Sequence, residues 1–354
     1  MSKFLTEKYK GLTPYTPGEQ PRERKYVKLN TNESPFPPSE KAIRLAAEEA
    51  ERLMLYPDPD VRELTSLMAR ELGVDESEVI MTNGSDEALN FAFMAWCDKD
   101  TPALFPDITY GFYKVFAGVN GVPYREIPLK EDFTVNIDDY KGQRGVVFIA
   151  NPNAPTGIAL SLREIEEIVK SDRERVVVID EAYVDFGAES AVGLTKAYDN
   201  LLVTGTFSKS RSMAGARLGY AVGNASLIND LVRIKYSTNP YNVNRMTAAA
   251  GVGALSDREY FTENVGKVAR SRRWTAMELS ALGFEMTDSL ANFLFVRHRD
   301  LDGEQLYLAL KEKGVLIRHF NSDRISDYNR ITVGSIEQMQ ILVDKIKEIL
   351  EEKK

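Results

Sequence analysis

Short apolar runs rich in β-branched residues alternate along this chain with longer segments whose apolar positions recur every three or four residues. The short runs read as strands: "EVIMTNG" (78–84), "TPALFP", "VPYREIPL", "GVVFIANPNAPTG" (145–157), "RVVVIDEAYVDF" and "NLLVTGTF" (200–207). Between them, "SDEALNFAFMAW", "YGFYKVFAGVN" and "SLREIEEIVKS" have helical spacing, the first with an acidic opening turn. Strands that are apolar throughout and separated by helices predict a mostly parallel sheet covered on both faces. Residues 1–39 differ. "GLTPYTPGEQP" and "NTNESPFPPS" predict an extended arm rather than a packed helix. Late in the chain come a long charged helix around Asp257 to Leu282, strands in "NFLFVR", "GVLIRHF" and "RITVGS", and an amphipathic helix over Ile336 to Glu352. They predict a smaller α+β unit. The expected organisation is an arm over 1–39 that joins the small domain, a large domain over 40–255 and a small C-terminal domain over 256–354.

Composition narrows the class. With 354 residues, 43% hydrophobic and 28% charged, the chain is an ordinary globular sequence with ample core. A net charge of −8 argues against a general nucleic-acid binder, which needs a basic surface. The one cysteine, Cys97, sits in an apolar helical pattern and reads as core; with only two histidines, His298 and His319, no metal site is expected. No apolar run is long enough to span a bilayer, and "MSKFLTEKYKG" has no signal-peptide core. The expectation is a cytoplasmic protein that binds neither membrane nor nucleic acid.

In open parallel sheets, ligands bind outside the carboxyl ends of the strands. There the first strand ends in "TNGSDE", where Gly84 brings the backbone close and the N–H groups of Ser85 and Asp86 open a helix, an anion site. A later strand ends in "NPNAPTG". The next closes on Asp180, followed by Tyr183. "NLLVTGTF" delivers Thr206, Ser208 and Lys209, with Arg217 eight residues on. Singly these are a cap, a loop carboxylate and a solvated lysine. Together they suit pyridoxal 5'-phosphate: a lysine to form the Schiff base, an aspartate to keep the pyridine nitrogen protonated, and hydroxyls with an arginine for the phosphate. A nicotinamide site would want G-x-G-x-x-G, which "TNGSDEAL" lacks.

At this point the chain resembles the fold-type-I pyridoxal-phosphate aminotransferases, and within them the histidinol-phosphate aminotransferases. The motifs span essentially the whole chain: "LTPYTPG", "KLNTNESPF", "YPDPDVRELTSLMA", "TNGSDEAL", "ITYGFY", "NPNAPTG", "DEAYVDF", "TFSKS…AGARLGY", "NPYNVN", "ANFLFV", "GVLIRHF" and "RITVG". The resemblance implies a large α/β domain with a mostly parallel seven-stranded sheet and a small α+β domain. It implies that Lys209 carries the cofactor and moves the proton, that Asp180 pairs with the ring nitrogen and Tyr183 with the ring oxygen, and that Tyr110 stacks on the ring. Ser208, Arg217, Thr206 and the Gly84–Ser85–Asp86 turn would hold the phosphate. Tyr56 would reach the cofactor of a neighbouring subunit, so a homodimer with shared sites is implied. Tyr15, Asn32, Arg318 and Arg330 would bind the substrates, histidinol phosphate and glutamate or 2-oxoglutarate. One position departs from the family. The asparagine usual before "PTG" is Ala154 here, and Asn153 stands as its replacement. Aromatic-amino-acid aminotransferases and threonine-phosphate decarboxylases share most of this pattern and remain alternatives.

Overall fold

A computed structural model describes residues 2–21 and 23–353. Seven strands form the main sheet: β1 (Val79–Thr82), β2 (Ala103–Pro106), β3 (Tyr124–Ile127), β4 (Val146–Ala150), β5 (Val177–Asp180), β6 (Leu201–Thr206) and β7 (Gly219–Gly223). Their order is β1-β7-β6-β5-β4-β2-β3, and all pairings are parallel except those that β7 makes with β1 and β6. Successive side chains of a strand face opposite sides, so each apolar strand feeds two cores. Val147, Ile149, Val177, Ile179, Leu201 and Val203 enter one; Phe148, Val178 and Leu202 enter the other, with Phe93 and Tyr113 of the covering helices. Burial on both faces is why these strands lack a polar alternation.

β7 was not anticipated. "GYAVG" is short, holds two glycines and offers weak strand propensity of its own. Pairing decides it: Gly219 lies opposite both Thr82 and Thr206. A Cβ on Gly219 would sit 2.3 Å from the Ser85 nitrogen, so only glycine lets β7 close up against the turn after β1. This register brings the "NGSD" turn beside the "TFSKS" loop.

The late part of the chain forms a four-stranded antiparallel sheet in the order Arg318–His319, Asn329–Thr332, Phe293–His298, Phe284–Met286. It packs with the 24-residue helix Arg258–Ala281 and the C-terminal helix Ile336–Glu352 around a separate core containing Leu294, Val296, Ile331 and Leu342. Asp257 caps the first helix, and Ser335 with Gln338 forms a capping box on the second. The N-terminal arm is mostly extended but includes one helical turn, Glu7–Lys10. Its Val27–Lys28 pairs in parallel with Val315–Leu316, and the Leu29 carbonyl accepts from the Thr332 N–H. The arm is thereby stitched to the smaller sheet. Among the described residues no helix is long and apolar enough to cross a membrane.

Candidate active site

At the carboxyl ends of β1, β5 and β6 lies a cleft of about 400 Å³ lined by Ser85, Asp86, Tyr110, Ala154, Asp180, Tyr183, Thr206, Ser208, Lys209 and Arg217. A second chamber of about 390 Å³, lined by Tyr15, Asn32, Arg318 and Arg330, shares Tyr110, Ala154, Tyr183 and Lys209 with the first. Lys209 thus stands where the two meet. It is half-buried, its ammonium donates to the Thr31 carbonyl at 3.3 Å, and it lies 5.7 Å from the centre of the Tyr183 ring.

One end of the first cleft is built for an anion. Helix Ser85–Trp96 begins there, with Gly84 at φ 76° as its cap. A Cβ on Gly84 would approach the Arg217 guanidinium to 2.8 Å and would need the left-handed region as well. Arg217 pairs with Asp86 at 2.8 Å, and the Tyr110 hydroxyl donates to the other Asp86 oxygen at 2.7 Å. The Ser208 hydroxyl is buried and has no hydrogen-bond partner among the described residues. An orphaned buried hydroxyl costs free energy unless a ligand satisfies it. Ser210, the other hydroxyl flanking Lys209, is turned instead to Asp185.

The other end is built for a cation. Asp180, the last residue of β5, is buried and accepts from the Tyr113 hydroxyl at 3.1 Å and from Thr204 at 3.3 Å. Burial pushes its carboxyl up to about 6; the two hydroxyls oppose that rise, and Asp86 adds to it. Its side-chain donors are neutral hydroxyls, and it forms no ion pair among the described residues. A protonated pyridine nitrogen would offset the burial. The orphaned hydroxyl at the anion end and the uncompensated carboxylate at the other fit pyridoxal phosphate in both charge and position. Neither Tyr113 nor Thr204 stood out in the sequence, because both lie in apolar runs. The one available signal was that Tyr113 follows Tyr110 by one helical turn.

Arg318 and Arg330 are direct cross-strand partners in the second chamber. Arg330 is half-exposed as a residue, yet its Nε is buried without a partner, and burial pulls its guanidinium below the usual value. One of its terminal nitrogens donates to the Asn30 carbonyl at 3.0 Å. Tyr15 leans on Phe112 with ring centres 4.8 Å apart, at the mouth of the chamber.

Two expected residues line neither chamber of this chain, and for Tyr56 the expected contact is with a neighbouring subunit. Asn153 lines neither chamber. Its amide donates to the Ile108 carbonyl at 2.9 Å and to Thr156, while its oxygen accepts from Thr109 at 2.7 Å. It is a strut of the loop, and the Ala154 methyl faces the cleft instead. The segment is a turn-rich loop, so no regular alternation of side chains makes good the one-residue offset. Tyr56 is 77% exposed and stacks on Tyr241 at 4.6 Å, away from both chambers of its own chain.

Comparison with known proteins adds the following. The family model described as aminotransferase class I and II matches residues 24–346. A histidinol-phosphate aminotransferase of Brachyspira hyodysenteriae is 49% identical over 352 residues, 99% of either chain. One from Clostridium botulinum is 46% identical over 352 residues, again 99% of either chain. The crystal structure of histidinol-phosphate aminotransferase from Sinorhizobium meliloti in complex with pyridoxal-5'-phosphate covers 100% of this chain and 99% of its own with a TM-score of 0.90. At 21% identity that likeness speaks for the fold.

Proposed function

The chain belongs to the class I and II aminotransferase family, and from that premise we propose that it transfers the amino group of histidinol phosphate to 2-oxoglutarate. The products are imidazole acetol phosphate and glutamate, a step of histidine biosynthesis. The observation that carries the substrate is the Arg318–Arg330 pair, two guanidiniums opposed across neighbouring strands in the chamber that shares Lys209 with the cofactor cleft. Such a pair fits a phosphate or a carboxylate, so one site serves the phosphate of the donor and the side-chain carboxylate of the acceptor in turn.

Pyridoxal phosphate, when bound, supplies an aldehyde to capture the amino group and a protonated ring to accept the electron pair left on the substrate carbon. The residues do the rest. Asp180 would hold the ring-nitrogen proton. Ser208, Arg217 and the N–H groups of Ser85 and Asp86 bind the phosphate, and Thr206 backs them by accepting from the Ser208 N–H at 3.1 Å. Tyr110 covers one ring face. Lys209 would hold the cofactor through its aldehyde, and its amine stands where it would take the proton from the substrate carbon. Tyr183 would donate its hydroxyl hydrogen to the ring oxygen without help from position 154. Tyr15 closes the mouth of the chamber. The exposed run Leu53–Tyr56 would be covered by a second copy, with Tyr56 reaching the cofactor phosphate across a homodimer interface.

The test compares specificity constants for histidinol phosphate, histidinol, phenylalanine and tyrosine in the wild type and in Arg330→Lys. Losing a buried guanidinium–phosphate contact costs about 2–5 kcal/mol, so histidinol should be roughly 30-fold to several thousand-fold poorer. Arg330→Lys should lower the constant for histidinol phosphate, since an ammonium cannot reproduce the planar fork. Equal use of histidinol and its phosphate, or a preference for phenylalanine, refutes the substrate and leaves the family standing.

A further inference from the structure

We propose that Asn32 is a positioning residue that fixes which way the Tyr183 hydroxyl donates. Asn32 is 1% exposed, although it takes the uncommon left-handed backbone conformation at φ 55°. Three hydrogen bonds clamp it. Its N–H donates to Thr332 Oγ1 at 2.9 Å, Thr332 Oγ1 lies 3.0 Å from its Oδ1, and its carbonyl accepts from Asn292 at 3.1 Å. Its Nδ2 lies 3.0 Å from the Tyr183 hydroxyl, the only hydrogen-bond partner of that hydroxyl among the described residues.

One arrangement of hydrogens along this chain gives the buried Thr332 hydroxyl an acceptor. A backbone N–H can only donate, so Thr332 Oγ1 accepts from Asn32. A hydroxyl can accept twice, so a reversed amide could also donate to Thr332, but the threonine hydrogen would then have no acceptor among the described residues; given to Asn32 Oδ1, it has one. That contact fixes the amide orientation: Oδ1 faces Thr332, and Nδ2 must face Tyr183. An amide N–H likewise only donates, so Tyr183 accepts from it. The phenolic hydrogen is therefore left for the cleft, which Tyr183 lines on both sides of Lys209. The direction matters more here than at a site with two donors, because Ala154 presents a methyl group and Asn153 is occupied elsewhere. Asn32 also lines the second chamber. The hydrogen-bond geometry adds a role toward the cofactor to the substrate contact the motif implies.

The inference rests on the cofactor reading above and on the hydrogen that Tyr183 gives to the ring oxygen. A donated hydrogen holds negative charge on that oxygen and so lowers the proton affinity of the bound chromophore. The experiment is a spectrophotometric pH titration of the visible band in the wild-type holoenzyme and in Asn32→Gly, Thr332→Val, Tyr183→Phe and Asn32→Gly/Tyr183→Phe. Glycine accepts the φ of Asn32 and changes no charge, and Thr332→Val keeps its shape at a distance from the cleft. Asn32→Gly is expected to raise the proton affinity of the chromophore by roughly three- to tenfold. Thr332→Val should shift it the same way by less, and the double variant should match Tyr183→Phe alone. An Asn32→Gly midpoint equal to wild type, or an Asn32→Gly shift of full size in the Tyr183→Phe background, overturns the inference. A wild-type protein with no visible band refutes the cofactor reading and this inference with it.

Discussion

Replacing Asp180 by asparagine keeps the shape of the residue and removes one charge from the bottom of the cleft. Burial raises this carboxyl from 3.8 to about 6, which corresponds to about 3 kcal/mol against the ionised form. A cation about 4 Å away returns about 4 kcal/mol at an effective dielectric of about 20. The pairing therefore outweighs the burial, and carboxylate and ring proton coexist at neutral pH. A neutral amide in the same place would offer no such return, and the ring would lose its proton. The electron pair left on the substrate carbon then has a poorer sink, and losing about 4 kcal/mol of stabilisation slows turnover roughly a thousandfold. Tyr113 and Thr204 donate to different oxygens of this carboxylate; an asparagine oxygen can accept from one, and the other hydroxyl can turn to accept from the amide nitrogen, so folding should survive. The assay is steady-state turnover with histidinol phosphate beside a thermal melt and the spectrum of the bound cofactor. An Asp180→Asn enzyme that melts like wild type, binds cofactor and keeps turnover within tenfold would show that this carboxylate is merely structural.

Lys209→Ala is expected to abolish transamination while cofactor still binds in the cleft; borohydride treatment of the wild type followed by peptide mapping should find the cofactor on Lys209 and on no other lysine. Ser208→Ala should leave the melting temperature of the cofactor-free protein unchanged or slightly higher, because the hydroxyl has no partner there. It should weaken cofactor affinity roughly ten- to a hundredfold, read by equilibrium titration. Glu181 is buried beside Asp180, and burial pushes its carboxyl from 4.5 up to about 8 against the bonds from Ser190 and the Ala191 N–H. A folded-state value above the unfolded one gives stability that is complete below about 4.5 and is lost as pH rises through about 8. The melting temperature of the cofactor-free protein should therefore fall from pH 5 to pH 8, and Glu181→Gln should flatten that slope; an unchanged slope refutes it.

What the chain disclosed followed from how locally each feature is determined. Apolar runs such as "VVFIA" and "VVVID" announce buried strands because both faces of the sheet are covered, and a polar residue closing such a run marks the edge where ligands bind. Asp180 and Lys209 were legible for that reason. β7 was not, since Gly219 is a strand residue only through its two neighbours. Tyr113 lies in a helical run and is core, yet its hydroxyl tip reaches Asp180. The Asn153 side chain hinges on one residue of offset in a loop, which no periodicity constrains. The pairing of Thr332 with Asn32 spans 300 positions and becomes visible only when the arm lies against the smaller sheet.

The facing arginines also bear on how this protein must be handled. Like charges set directly opposite on neighbouring strands repel and weaken the pairing that holds them, here at the edge strand Arg318–His319, which has two residues. A bound anion relieves that repulsion only in the folded chain, so anions raise the melting temperature by mass action. Inorganic phosphate or sulfate in a purification buffer would then act at once as a preservative and as a competitor for the substrate chamber. Storage in phosphate and assay in a buffer of bulky, weakly coordinating ions would separate the two effects.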